Sequence, residues 1–373
     1  MVHKEGNIRV GNVHYLERFT SRKEKPAWDS LPDSLESWMK QYMQLAVIGV
    51  RSEEVTKKIS LHLKRFLNFF LASYGHDRIS ACLQRDVLAW RRCLQEQGLS
   101  PSTVNSHIAS LSAFTTWVHT QDPYRFPAGD PAKGIRELGL PPLEPRALSE
   151  DQVRSLKNLC DRLERFHQRK GRRWKGKQAP LKAHSRPWRD RAIVFVLLST
   201  GLRRQELVDL NVSQLEPNTP EELRKARRAR IRRVKGKGGT ERTVFLSADA
   251  RLALADYLEK ERQKDATEET PALFLSAAGL PARKPDGRLS PRAINSILEQ
   301  IGRWHDAEIP DPKRHLSPLR PHDLRHTFAF RLAKETGADP YELERRLGHR
   351  SQRYIQRYTN PPEDQAARYI EEF

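Results

Sequence analysis

Five short stretches of this sequence hold residue types suited to work on an anionic ester. Thr200-Gly-Leu-Arg-Arg-Gln-Glu206 sets two arginines after a turn glycine, one leucine beyond it. Guanidinium groups are forked donors that can grip two oxygens of one anion, yet on a basic chain they also read as ordinary solvated charge. Lys237 stands in Gly236-Lys-Gly-Gly239. It is not a P-loop lysine, because Gly238 follows where Ser or Thr is needed; alone it reads as a phosphate contact. In Pro321-His-Asp-Leu-Arg-His-Thr-Phe328, His322 and Arg325 are three apart. On a helix they share a face, and an imidazole beside a guanidinium can bind one phosphate oxyanion. The same stretch also fits a plain helix start with Asp323 in its first turn. Leu347-Gly-His349 reads as a helix end, its histidine structural or solvent-facing. In Arg353-Tyr-Ile-Gln-Arg-Tyr358, Tyr354 and Tyr358 are four apart and read as core or surface aromatics. Taken singly, none of these is decisive.

The rest of the chain must position them. Its 373 residues suit two domains at about 150 residues each. The net charge of +20 argues for a polyanionic partner, nucleic acid first and an anionic membrane second. The longest apolar run, Ala192 to Leu198, is too short to span a bilayer, and the first residues lack the apolar core of a signal peptide. Three scattered cysteines without a CxxC pair argue against a disulfide framework and a cysteine zinc site. A reducing cytoplasm, in contact with nucleic acid, is the expected setting.

Residues 1–30 are polar and read as a flexible arm. Residues 31–122 read as four helices. The first carries Leu35, Trp38, Met39 and Tyr42 on one face, with Asp33 and Glu36 spaced as a capping box. The second carries Val55, Ile59, Leu63, Phe66, Leu67 and Phe70, and the third Val87, Trp90 and Leu94 before Gly98. Ser100-Pro101 opens the fourth, with Val104, Ile108, Leu111, Phe114 and Val118. Proline and glycine crowd 123–146, the expected linker. The second domain, 147–373, begins with a capping box at Ser149 and Gln152. A basic segment over 162–189, with Trp174 and Trp188, is expected as a loop or helix extension, and an apolar helix after Arg191 ends near Gly201. Ile231, Val234 and Thr243-Val-Phe-Leu246 flank a glycine turn and predict a hairpin. Helices are expected over 249–263, 290–305 (from Ser290-Pro291), 321–336 and 339–347. The fold class is mainly α with a small β-hairpin or sheet in the second domain.

The order of the five stretches carries more than any one of them. It resembles the tyrosine recombinase (phage integrase) family, whose motifs are T-G-L-R-x-x-E-L, G-K-G, H-D-L-R-H-T-F-A and L-G-H, with the nucleophile nine residues on. This chain has Thr200 to Leu207, Gly236-Lys237-Gly238, His322 to Ala329, and Leu347 to His349 followed by Tyr358. The match spans about 149–360, and the helical domain resembles the family's core-binding domain more loosely. The resemblance implies a two-domain, C-shaped DNA clamp. It implies Tyr358 as nucleophile, with Arg203, Lys237, His322, Arg325 and His349 as the other catalytic residues and Glu206 in support. Tyr354 competes for the nucleophile's place, but its five-residue step from His349 departs from the pattern.

The resemblance further implies double-stranded DNA with inverted-repeat-like core sites as partner, and a homotetramer as the working assembly. A tail helix over 361–373 would dock in cis or be exchanged between protomers. Neither metal nor other cofactor is expected, no membrane is involved, and the location is cytoplasmic and nucleoid-associated. About 30 residues are too few for a separate arm-binding domain, and 162–189 is longer than the compact pattern needs. Both suit a mobile-element recombinase, or a chromosome-dimer resolvase with an insertion. The alternatives are a catalytically silent or accessory-dependent DNA-binding protein, a metallonuclease using His322, Asp323 and His349, and a type IB topoisomerase or telomere resolvase with the same chemistry.

Overall fold

Local capping decides where most helices of this chain begin. In the computed structural model, which describes residues 31–140, 146–169, 180–236, 239–267, 269–280 and 284–348, they form two compact units, within 1–143 and 144–373. The arm over 1–30, Trp174 and the tail over 361–373 lie outside the described residues.

The first unit holds α1 (Leu35–Tyr42), α2 (Glu53–Tyr74), α3 (Gln84–Glu96) and α4 (Pro101–Gln121). Their apolar faces close on Trp38, Phe66, Phe70, Trp90 and Phe114, all essentially without solvent exposure. The Phe66 and Trp90 rings meet edge to face at 5.1 Å, a geometry that adds to area burial. At α4, the Ser100 hydroxyl accepts the Thr103 amide, with Pro101 in the first turn. At α1 the cap differs from the expected one. Ser34 rather than Asp33 accepts the Ser37 amide, because its short side chain lies one residue nearer. Asp33 instead accepts from the Ser80 amide at 2.9 Å and hydroxyl at 2.6 Å, tying 78–80 to the start of α1. The breaker-rich run after α4 folds back on this unit as far as Leu138. Phe126 joins the core, and the Asn105 side chain bonds the Leu138 carbonyl at 2.9 Å and amide at 2.8 Å.

In the second unit, α5 (Glu150–Cys160) carries the Ser149–Gln152 capping box, and α6 (Leu163–His167) follows within the basic segment. The central helix α7 (Pro187–Thr200) is covered nearly all round, and α8 (Arg204–Val208) is one short turn beyond its end. A three-stranded antiparallel sheet in the order β1 (Leu215–Glu216), β2 (Ala229–Lys235), β3 (Glu241–Leu246) is completed by α9 (Pro220–Lys225) between its first two strands. Ile231 and Val234 are both buried although three apart, which alternation forbids. The register slips between them, with Arg233 at φ 50°, so a bulge returns Val234 to the core face. Two-residue β1 was not expected, since so short a strand shows no period. Then come α10 (Ala248–Tyr257), prolonged by a wide turn over Leu258–Arg262, α11 (Pro291–Asp306), α12 (Pro321–Glu335) and α13 (Pro340–Leu347). The core gathers around α7, against which α10 and α12 pack. Among the described residues no helix is long and apolar enough to cross a membrane.

Candidate active site

The site begins where α7 stops. Gly201 has φ +60°, and a Cβ there would lie 2.3 Å from Cδ1 of Phe328. Glycine therefore both turns the chain and lets α12 approach. The turn delivers Arg203 to the N-cap position of α8, and Glu206 reaches back from the third helical residue. The Glu206 carboxylate accepts the Arg203 amide and its Nη1, both at 2.8 Å. Arg242, from β3, adds a fork: Nη1 to Oε1 at 3.0 Å and Nη2 to Oε2 at 2.6 Å. Arg325 Nη1 stands 4.0 Å from Oε2. Burial alone would raise the Glu206 carboxyl, but the Arg242 bonds and charge, followed by Arg203, hold it below its ordinary value. The buried residue is therefore a carboxylate at neutral pH.

Helix α12 supplies the next two groups. Pro321 opens it, and the Asp323 carboxylate accepts the Arg320 amide at 2.9 Å, closing the first turn. Asp323 thus caps its own helix. One turn apart, His322 stays open to solvent on one side while Arg325 is buried. Arg325 Nη1 donates to the Gly201 carbonyl at 2.5 Å and Nη2 to the Leu347 carbonyl at 2.7 Å. Partial burial of the His322 ring, then the positive charges of Arg325, Arg204 and Arg203, depress its pKa below the ordinary histidine value. It is a neutral imidazole at pH 7, with one N–H to donate.

Three arginines meet at the far end of α13. The carbonyls of Arg346, Leu347 and Gly348 accept respectively from Arg242 Nε at 2.9 Å, Arg325 Nη2 at 2.7 Å and Arg203 Nη2 at 3.3 Å. A helix leaves its last carbonyls unpaired and partly negative, so three guanidiniums from three elements satisfy them at once. Gly348, at φ +64°, ends the helix, and the next residue is His349.

The Arg203–Glu206 and His322–Arg325 pairs, more than a hundred positions apart in sequence, are thus brought together. Lys237, His349, Tyr354 and Tyr358 lie outside the described residues; β2 and β3 stay paired as far as Lys235 and Glu241 on either side of the hairpin turn. The sequence reading missed Arg242, counting it among the basic residues around the hairpin. A signal existed: it shares a strand face with Val244 and Leu246, both buried, so alternation aims it inward. Among the described residues no group of three or more His, Cys, Asp or Glu side chains is placed to hold a metal ion.

Comparison with known proteins places the chain in a family. Residues 148–364 match the phage integrase family. The chain is 30% identical over 276 residues to the tyrosine recombinase XerC of Mycobacterium sp. (strain KMS), covering 73% of this chain and 76% of that one. It is 26% identical over 298 residues to the tyrosine recombinase XerA of Pyrococcus furiosus, covering 79% and 82%. In fold it is similar to the Tn1549 transposon integrase, solved in complex with circular intermediate DNA, with a TM-score of 0.61 at 18% identity over 92% of this chain and 100% of that one. This chain belongs to the phage integrase family, the tyrosine recombinases.

Proposed function

We propose that the protein cleaves and rejoins DNA at specific sites through a 3′-phosphotyrosyl intermediate on Tyr358. The observation that carries this reading is the convergence of Arg203 and Arg325 at the end of α13, with His322 one turn before Arg325 on α12; from there the chain runs on to His349 and, nine residues later, Tyr358. A phosphodiester is anionic, and attack on it builds further charge. Arg203 and Arg325 hold the non-bridging oxygens, and their forks suit that geometry. His322 and His349 add donors, and one of them takes the phenolic proton, which at a pKa near 10 does not leave unaided. Lys237 protonates the departing 5′-oxygen. The phosphotyrosine stores the energy of the broken bond, so rejoining needs no ATP. The arginines supply the positive charge at the phosphate, so the chemistry uses no metal.

The DNA partner is double-stranded, with inverted-repeat-like core sites bound by a homotetramer whose tails pack in cis or exchange between protomers. The outcome is integration, excision or resolution, probed first on DNA of a mobile element. Ten Lys and Arg residues fall between Arg224 and Arg242. Arg224, Arg230, Arg232 and Arg242 are engaged with carboxylates, whereas Arg227, Arg228, Arg233 and Lys235 are exposed and suit salt-sensitive phosphate contact.

Covalent trapping in EDTA tests the reading. Duplex from the DNA flanking the gene is incubated with wild type and Tyr358→Phe, then resolved on denaturing gels. The expected result is a slow protein–DNA adduct from wild type alone, with both proteins binding the duplex equally. Tight wild-type binding without an adduct would instead support a catalytically silent DNA-binding protein. An adduct from Tyr358→Phe would move the nucleophile, with Tyr354 first in line.

A further inference from the structure

We propose that Arg242 is a positioning residue of the cleavage site, which shares the Glu206 carboxylate with Arg203 and anchors the end of α13. The inference rests on the recombinase reading above. Arg242 is buried and fully engaged: its side chain is 8% exposed, and all three of its guanidinium nitrogens are bonded, two to Glu206 and one to the Arg346 carbonyl. A Cβ on Gly348 would come within 3.0 Å of its Nη1, so the guanidinium is packed directly against the last residue before His349.

Its effect follows from charge. One carboxylate faces Arg203 and Arg242 through four short bonds, close to the lone-pair capacity of its two oxygens. While Arg242 takes half of those bonds, the negative charge is divided, and Arg203 keeps positive potential for an incoming phosphate. Without Arg242 the charge would fall on Arg203, and more weakly on Arg325 at 4.0 Å, drawing positive potential away from the donors that the phosphate needs. The Arg346 carbonyl would also lose its partner, loosening the turn toward His349. Arg242 belongs to β3, so the same side chain ties the hairpin to that turn.

The test uses the full chain and the trapping duplex, with affinity and single-turnover adduct formation measured separately. Arg242→Gln is expected to bind DNA within about threefold of wild type and to form adduct about a hundredfold more slowly, the cost of a misplaced site. Arg242→Lys, which keeps the charge but not the fork, is expected about tenfold down. In a Glu206→Gln background the further loss from Arg242→Gln should shrink to about threefold, because the shared charge is already gone. A merely structural role would lower affinity and melting temperature together and leave no such coupling. Arg242→Gln cleaving like wild type, or an undiminished loss in the Glu206→Gln background, overturns the proposal alone. If Arg242→Gln does not fold, Arg242→Lys decides by the same rates. Wild type that binds without forming adduct overturns the recombinase reading and this inference with it.

Discussion

In the helical unit the deepest side chains are Trp38, Phe66, Phe70, Trp90 and Phe114, whereas in the second unit Arg189, Asp190, Glu206, Glu261, Asp265 and Arg325 are nearly as well covered. The first interior is held by apolar area, which tolerates a change of charge at the surface and punishes a cavity. The second has its own large apolar core around α7 and sets buried ion pairs among it. Arg186 forks onto Asp265 with two bonds of 2.6 Å, and Glu206 holds Arg203 and Arg242. Buried pairs of this kind add little net stability against an apolar replacement, yet losing one partner is costly. The difference teaches that the helical unit is built to stay folded, and the second unit to keep charges at fixed positions.

Four substitutions would break or sharpen that contrast. Arg325→Gln should have the largest effect, slowing adduct formation by about a thousandfold, as expected for loss of a phosphate-holding donor. DNA affinity, read by fluorescence anisotropy, should fall only a few-fold, because many other cations contact the backbone. Equal losses in both would mean that Arg325 serves binding and not the chemical step.

Trp90→Ala should remove about 3–5 kcal/mol from the helical unit. Calorimetry should show its transition shifted and that of the second unit unmoved; a common shift would refute the separation of the two cores.

Glu261 probes the buried charges through pH. It accepts the Arg189 amide at 2.9 Å at the start of α7. Burial foremost, with the nearby Asp190 charge, pushes its carboxyl up from 4.5 to about 7, while the Arg189 and Trp188 amides and the Arg189 charge pull the other way. The folded state therefore binds the proton more tightly than the unfolded state. The stability this gives is complete below pH 4.5 and is lost as pH rises through about 7. Glu261→Gln, always neutral, should exceed wild type at pH 8 by on the order of 3 kcal/mol, with the gap mostly closed at pH 5. Melts at the two pH values check this, and a gap independent of pH would show that Glu261 does not titrate there.

Ser149→Ala removes a local cap in the second unit and should cost only about 1 kcal/mol in chemical denaturation. A much larger loss would mean that the start of α5 is bound into the buried charge network.

How much could be read in advance followed the range of the forces. Ser100-Pro101, Ser149 with Gln152, and Ser290-Pro291 announced their helices, because a cap and its amide are three residues apart. Asp33 misled because Ser34 stood beside it with the same capacity, and its actual partner, Ser80, was remote in sequence. Phe126 lay in a proline-rich run with no periodicity, so its place in the helical core was invisible. Arg203, Glu206, His322 and Arg325 were legible as ordered motifs, but not the way they connect. Arg242 was hidden among basic neighbours, since an isolated sequence does not distinguish an arginine that faces solvent from one that faces Glu206.

The sequence by itself determined the longer helices, the hairpin, the basic surplus and the family, since periodicity, caps, turns and ordered motifs are written along the chain, whereas the short α8 and α9 were not expected. Only the tertiary structure decided which guanidinium shares which carboxylate, and that Arg346, Leu347 and Gly348 each hand a carbonyl to a different arginine. Those bonds join residues more than twenty and up to 145 positions apart. Their existence depends on Gly201 letting α12 close on α7 and on the bulge that turns β2, and no local pattern encodes both.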